Sequence, residues 1–368
     1  MGKLNKRAPE KEQTKKDKFQ GEQGSVVKRS EFIEALSAVT VGTGGQMLLE
    51  GSLNVVLDDK WMRTYNDFLS VSYPFPSGIR SAVNHEDLMK ILNRMEDEEL
   101  MLQTDEEAPL VIRGEYVKVE LPSSDVRIMK YIDDLSLEDL DWQELPEKFM
   151  EGLWWCFFSA SRKKEEKNHS IFCTGTDMVS TDNYRVGVYN LEAETEPFLI
   201  SASNAMALLK TGFHFERSVI VNGWIHFEGE TGVVVSSRLL DEETYDAPKV
   251  KGVVDAALEE LDKHAYTFPD KFEDVLSRIA VFASSNEVFS ELVDVTFSGS
   301  EIICEGRKEA GKIKERIPVK EKYPKIEFKI PIFFVRDILK ITRKFNTSGN
   351  FIIFRTPNFT QLILTIGD

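Results

Sequence analysis

Cysteine is scarce in this chain. Cys156, Cys173 and Cys304 are the only three in 368 residues, far apart and with no CxxC spacing. That excludes a zinc knuckle and a disulfide framework, and implies a reduced, cytosolic protein. Long hydrophobic runs are missing too: no stretch of 18 apolar residues occurs, so no membrane partner is expected. The opening MGKLNKRAPEKEQTKKDKF has no apolar core and is not a secretory signal. The signatures GxxxxGK[ST], HExxH and GxSxG are all absent. His85, His169, His214, His226 and His264 are scattered and read as surface or packing residues. The acidic clusters Asp97-Glu98-Glu99, Asp105-Glu106-Glu107 and Asp241-Glu242-Glu243 are contiguous and read as solvated turns, whereas metal ligands must converge. The expectation is a protein with no catalytic site, no metal and no cofactor.

What is present is ample core material, with 42% hydrophobic and 10% aromatic residues. At roughly 100–200 residues per domain the length allows two to four domains. Residues 1–23 are mainly Lys, Glu, Gln and Gly and read as a flexible basic tail, either simply solvated or an arm against nucleic acid. Sixty-two acidic against 46 basic residues give a net charge of −16. A uniformly acidic surface would repel nucleic acid, so the placement of the cations decides the matter.

The chain repeats itself. Pro146-Glu147-Lys148-Phe149 runs on to Leu153, Pro269-Asp270-Lys271-Phe272 to Leu276, and Lys28-Arg29-Ser30-Glu31-Phe32 to Leu36. Each puts Phe and Leu four apart, on one face of a helix. The phenylalanines are 117 and 123 residues apart. A second amphipathic signal recurs at 85–95, 203–212 and 332–345, its Ile91-Leu92, Leu208-Leu209 and Ile338-Leu339 pairs 117 and 130 residues apart. Short β-rich runs lie between: 53–57, 219–221, 233–235, 293–297 and 351–354, with Ser298-Gly299-Ser300 and Thr356-Pro357-Asn358 as closing turns. The fold class expected is α+β, with three units of about 115–120 residues, each having two helices and some eight strands.

The cations fall on these helices. In a helix over 332–345, Arg336, Lys340, Arg343 and Lys344 share one side, opposite Phe334, Ile338, Ile341 and Phe345, and Asp337 is the only acid. Lys28 and Arg29, Lys90 and Arg94, Lys148 with Arg162, Lys163 and Lys164, Lys210 and Arg217, and Lys271 and Arg278 lie in or beside the other five helices. If the repeats curve, these faces share one surface, and a protein acidic overall is basic there.

This organisation resembles the bacterial-type DNA sliding clamp, the β subunit of the replicative polymerase holoenzyme. Ser180-Thr181-Asp182-Asn183-Tyr184-Arg185-Val186 is similar to that family's Thr-Asp-Gly-His-Arg-Leu stretch. Val235-Ser236-Ser237-Arg238-Leu239-Leu240-Asp241 is similar to its Ser-Arg/Lys-Leu-x-Asp/Glu-Gly segment, and Leu362-Ile363-Leu364-Thr365-Ile366-Gly367-Asp368 ends where clamp chains end. The likeness covers about residues 24–368. Asn183-Tyr184 replaces Gly-His, Thr244-Tyr245-Asp246-Ala247 replaces Phe-Pro-Asp-Tyr, and the terminal Met-Pro-Met-Arg pattern is missing. These departures suggest a divergent, plausibly phage-encoded clamp with altered partner specificity.

The resemblance implies three clamp domains, at 24–125, 126–255 and 256–368, each with two helices on antiparallel sheets, assembling into a ring. It implies a non-enzymatic processivity factor working in a bacterial or phage-infected cytoplasm, as a head-to-tail homodimer. The ring encircles duplex DNA and touches it without sequence preference through Lys28, Arg29, Lys90, Arg94, Lys148, Arg162, Lys163, Lys210, Lys271, Arg278, Arg336, Lys340, Arg343 and Lys344. DNA polymerase and clamp loader would bind by short peptides at Ile171, Thr181, Asn183, Tyr184, Arg185, Val186, Thr244, Tyr245, Val250, Leu362, Ile363 and Leu364. In Leu362-Ile363-Leu364 only alternate side chains can be buried in their own sheet, so the others need a neighbour, either a peptide anchor or a loop of the same chain. The alternatives are an open DNA-binding or transcription-accessory protein built from clamp-like domains, and an enzyme with an unrecognised carboxylate site.

Overall fold

The structure is a computed structural model that describes residues 24–44, 51–104, 109–123, 126–241, 245–283, 291–309 and 311–366. Two compact units result, one of residues 1–140 with Phe227–Ser236, the other of 141–226 with 237–368. The first 23 residues, Thr244 and the acidic run 105–107 lie outside the described residues.

The first unit runs β1 (Ser25–Lys28), α1 (Arg29–Ala38), β2 (Asn54–Leu57), β3 (Trp61–Tyr65), β4 (Leu69–Pro74), β5 (Ser81–Asn84), α2 (His85–Leu92), β6 (Glu99–Gln103), β7 (Leu110–Arg113), β8 (Lys118–Leu121) and α3 (Val126–Asp134). One antiparallel sheet has the order β1-β6-β7-β8, and another contains β5-β2-β3-β4. Phe32 and Leu36 of the first repeat are both fully buried, as are Leu88 and Leu92 of α2. Asn84 caps α2 by accepting from the Asp87 N–H, and its chain passes from β5 into the helix without a loop.

The second unit contains β9 (Gln143–Glu144), α4 (Phe149–Phe157), β10 (Ser170–Cys173), β11 (Asp177–Thr181), β12 (Arg185–Asn190), β13 (Phe198–Ser201), α5 (Ala202–Thr211) and β14 (Phe215–Val221). β15 (Trp224–Gly229) and β16 (Val234–Arg238) follow, each divided between the units. The chain continues through α6 (Ala247–Glu259), β17 (Tyr266–Thr267), α7 (Phe272–Ile279), β18 (Leu292–Lys308), β19 (Gly311–Pro331), α8 (Ile332–Leu339), β20 (Lys344–Ser348), β21 (Phe351–Arg355) and β22 (Phe359–Leu364).

The repeated Pro-acid-Lys-Phe segments fold alike. The Phe149 N–H donates to Pro146 O and the Phe272 N–H to Pro269 O, each at 2.9 Å. Both phenylalanines and the leucines four residues on are buried. α5 and α8 also spring directly from a strand end, as α2 does.

An eight-stranded sheet, β13-β10-β11-β12-β22-β21-β20-β17, is made of two four-stranded halves joined where β12 pairs with β22, with Arg185 opposite Ile363 and Val186 opposite Leu362. Gly187 at this joint faces α4 so closely that a Cβ would come 2.6 Å from Ser159 Oγ, so only glycine fits. Its strand partner Gln361 donates to the same hydroxyl at 2.6 Å.

Three sequence expectations are corrected. The last helix ends at Leu339 rather than Phe345. Thr342 Oγ1 accepts from the Lys344 N–H at 3.2 Å, a local bond that competes with another helical turn, and Phe345 enters a strand and is buried among Phe268, Phe297 and Phe354. Ser298-Gly299-Ser300 is not a closing turn: β18 runs through it on register shifts around Gly299, at φ 59°, and pairs with β19 as a long two-stranded hairpin. α3 and α6, absent from the sequence expectation, are helices of 9 and 13 residues.

Candidate functional site

Four of the cations singled out in the sequence cluster on the helical face of the second unit. The end of α4, the start of α5 and the end of α8 enclose a groove of about 610 Å3. Phe157, Phe158, Ala160, Ala202 and Met206 give it an apolar floor, and Arg162, Lys164, Lys210 and Lys340 contribute four cations. Among the described residues that line it, Asp337 is the only carboxylate, and it is well compensated. It accepts from Arg162 Nη2 at 2.8 Å and Arg185 Nη1 at 3.1 Å, and Lys340 Nζ lies 3.5 Å away. Arg185 is 1% exposed, bound also to Asp182 at 3.0 Å, with its guanidinium 4.0 Å from the Phe334 ring centroid. Burial lowers the Arg185 pKa from its ordinary value while Asp182 and Asp337 pull it back, and an arginine remains charged throughout. Lys164 and Lys210 form no ion pair among the described residues.

Most of the remaining cations are held by partners within the chain. Lys163 pairs with Glu166, Lys148 with Glu192, and Arg278 makes a two-pronged bond to Glu315. Arg336 donates to Ser277 Oγ, and Arg343 is held by Glu273, Asp270 and Pro269 O. Because α8 stops early, Arg343 and Lys344 do not lie on one helical face with Arg336 and Lys340; Lys344 is exposed on β20. Lys271 is exposed at the start of α7. In the first unit Lys28 pairs with Glu31, Lys90 with Glu86, Arg29 donates to Leu92 O, and Arg94 is exposed past the end of α2.

The residues expected at a partner-peptide pocket divide by sheet face. Pairing of β12 with β22 brings Tyr184, Val186, Leu362 and Leu364 together, and the Leu364 N–H donates to Tyr184 O at 2.8 Å. Val186 and Leu362 pack under α6, against Val254, Ala257 and Leu258. Tyr245 and Val250 pack with Val179, Leu199 and Phe172 at the start of α6. The neighbour of Leu362 is thus a helix of the same chain, neither the peptide anchor nor the loop considered for the C-terminal strand. Ile171, Arg185 and Ile363, expected at the peptide pocket, alternate with these positions and take the opposite face, under the helical layer, each at most 1% exposed, so in this structure they are core residues. Thr181 is buried, its hydroxyl donating to Arg185 O, and Asn183 is exposed at φ 71° in the turn between β11 and β12. Leu364 is half-buried and lines a second groove, of about 570 Å3, between α6 and the turn at 348–351, together with Gly252, Val253, Ala256 and Phe351.

Sequence reasoning missed the part α6 plays. Its signal was present: Asp246 accepts from the Lys249 N–H, Pro248 follows in the first turn, and Val250, Val254, Ala257 and Leu261 keep helical spacing. Lys251 Nζ ties the helix to Asp177 Oδ2 on β11 at 2.5 Å.

No protein-family model matches the chain, and no curated protein matches it. Solved structures do. A putative DNA polymerase III beta subunit from Eubacterium rectale aligns at 15% identity and TM-score 0.76, over 94% of this chain and 99% of that one. The DNA polymerase sliding clamp from Bacillus subtilis aligns at 14% identity and TM-score 0.73, over 94% and 100%. The beta chain of DNA polymerase III from Streptococcus pneumoniae gives 13% and 0.76, over 93% and 99%. Over 93–94% of its length, the chain has the fold of the bacterial DNA polymerase sliding clamp.

Proposed function

We propose that this chain is a DNA polymerase processivity factor, a non-enzymatic sliding clamp that encircles duplex DNA in the cytoplasm. The observation that carries this reading is the likeness to sliding clamps over 93–94% of this chain and 99–100% of theirs. Two features of the chain support it. Cations gather on the helical layer of a protein whose net charge is −16. Phosphate contacts of that kind hold any sequence and leave the protein free to slide.

The domains are proposed at 24–125, 126–255 and 256–368. The ring is proposed to close as a head-to-tail homodimer of about 84 kDa, twice the 42.0 kDa chain. The joint between β12 and β22 supports this, because it already adds one four-stranded half to another by edge pairing. Among the described residues β8 has a strand neighbour on one side only, leaving an edge for the same kind of joint. Polymerase and loader peptides are proposed to dock along the groove beside Leu364 and α6, where a tethered enzyme re-engages before it diffuses away. Leu364→Lys should then abolish binding of a polymerase-tail peptide and leave the dimer intact; undiminished binding would move the partner site elsewhere.

The decisive test loads the protein on circular and on linearised DNA and filters both from free protein. A clamp stays on the circle and is lost from the linear form. Equal retention on both would sink the ring, and light scattering on the same sample that gives a 42.0 kDa monomer would do so too.

A further inference from the structure

The groove between α4, α5 and α8 has an apolar floor as well as a cationic rim, and a duplex makes use of the rim alone. A DNA double helix presents phosphates and sugars outward and keeps its bases stacked inside. It would leave the half-buried Phe157 and Met206 uncovered at the bottom of a concave surface. We infer that this groove seats an unpaired nucleotide of single-stranded DNA, its base against Phe157 and its flanking phosphates on Lys164, Lys210 and Arg162.

Several observations converge on that occupant. The volume, about 610 Å3, is in the range of small-ligand sites and exceeds what a lone phosphate would fill. Aromatic floor and basic rim together are the recurring means of holding single strands, because every base has a π-face and every linkage a charge. Phe157 is half-buried, so part of its ring is reachable, whereas Phe158 is already covered by Lys340 Nζ, 4.7 Å from its centroid, and by the edge of Trp154. The rim can turn toward a phosphate without stranding a buried charge. When Arg162 and Lys340 leave Asp337, that carboxylate keeps Arg185, which is fixed by Asp182 on its other side. The wall also carries polar atoms for a base edge. His169 Nδ1 donates to Ser161 O at 2.6 Å, which leaves Nε2 facing Ser203 Oγ at 2.8 Å.

This inference rests on the reading of the chain as a DNA-bound protein and names a second form of DNA for it. The test measures fluorescence anisotropy of a labelled oligothymidylate, an abasic strand of the same length and a duplex, at low salt. The oligothymidylate should bind roughly five- to a hundredfold more tightly than the abasic strand, the range that one stacked base gives. Phe157→Leu keeps the apolar volume and removes the ring; it should erase that preference and leave abasic binding unchanged. The Lys164→Glu, Lys210→Glu double variant alters exposed side chains only, and should weaken both strands by tenfold or more. Equal binding of oligothymidylate and abasic strand would overturn the base seat, and so would a preference that survives both variants. Retention on circular DNA is scored on the same samples. Its persistence without base preference removes this inference alone, whereas its loss with base preference intact removes the ring.

Discussion

Replacing Asp337 by alanine isolates the buried ionic cluster that positions α8 against β12. Asp337 is 6% exposed and is shared by Arg162, Arg185 and Lys340. Arg162 and Lys340 are on the surface and lose little when their partner goes, since exposed pairs are worth at most about 1 kcal/mol. Arg185 is different. At 1% exposure it cannot recruit water in place of the carboxylate, and removing one partner of a buried pair costs about 3–5 kcal/mol. Asp182 still holds the Arg185 Nε at 3.0 Å, so the lower end, about 3 kcal/mol, is expected. For a unit of the size of 141–226 with 237–368, that corresponds to a midpoint lowered by roughly 6–12 °C.

The assay is thermal and urea unfolding followed by circular dichroism, with Asp337→Leu, Arg185→Met and their double variant completing a cycle. The double variant should regain the part of the loss that comes from Asp337, because no charge is then left unpaired on α8, while Asp182 still loses its arginine and keeps only the Tyr184 and Arg185 backbone N–H donors. DNA binding should move the other way: without Asp337 the groove gains a net positive charge, and oligonucleotide affinity at low salt should rise. A midpoint within a degree of the parent for Asp337→Ala would refute the reasoning. A double variant less stable than either single one would refute it as well.

Phe272→Ala removes a fully buried ring stacked on Phe268 at 4.2 Å; the expected loss is about 3–5 kcal/mol by denaturant titration, and a loss under 1 kcal/mol would contradict the packing. His226 is 1% exposed and burial lowers its pKa to about 4 from an ordinary 6.5, so the unfolded chain takes up the proton first as pH falls. Its stability contribution is therefore full above pH 6.5 and lost between there and pH 4, by about 3 kcal/mol; His226→Phe should flatten that slope, and an unchanged slope would assign acid sensitivity to other groups. Gly252 sits inside α6 where an added Cβ meets nothing within 4 Å, so Gly252→Ala should stabilise by about 1 kcal/mol, and a lower melting temperature would count against it.

The parts of this fold that could be read from the sequence are those where one local pattern has one structural meaning. Phe149 and Leu153, or Phe272 and Leu276, can share a buried face only in a helix, and a repeated Pro-acid-Lys opening fixes where that helix starts. The groove could be read in part. Arg162, Lys210 and Lys340 were identified by charge, but the aromatic floor came from Phe157 and Phe158, which in sequence are only the end of an apolar helix. What stayed hidden depended on competition between distant elements. Leu362, Ile363 and Leu364 are equally apolar, and which of them meets α6, which meets the helical layer and which remains half-buried follows from the register with β12, a pairing across some 180 residues. The resemblance of the 180–186 stretch assigns Arg185 to a peptide contact, and a buried arginine needs charged partners that a short motif does not show. Its partners are Asp182, three residues away and visible in the sequence, and Asp337, 152 residues away and not. The same residue therefore joins the two halves of the sheet to α8 and sets the charge of the groove beside them. Under the proposed function, stability and nucleic-acid contact are consequently coupled through one carboxylate, and substitutions at Asp337 are expected to move them in opposite directions.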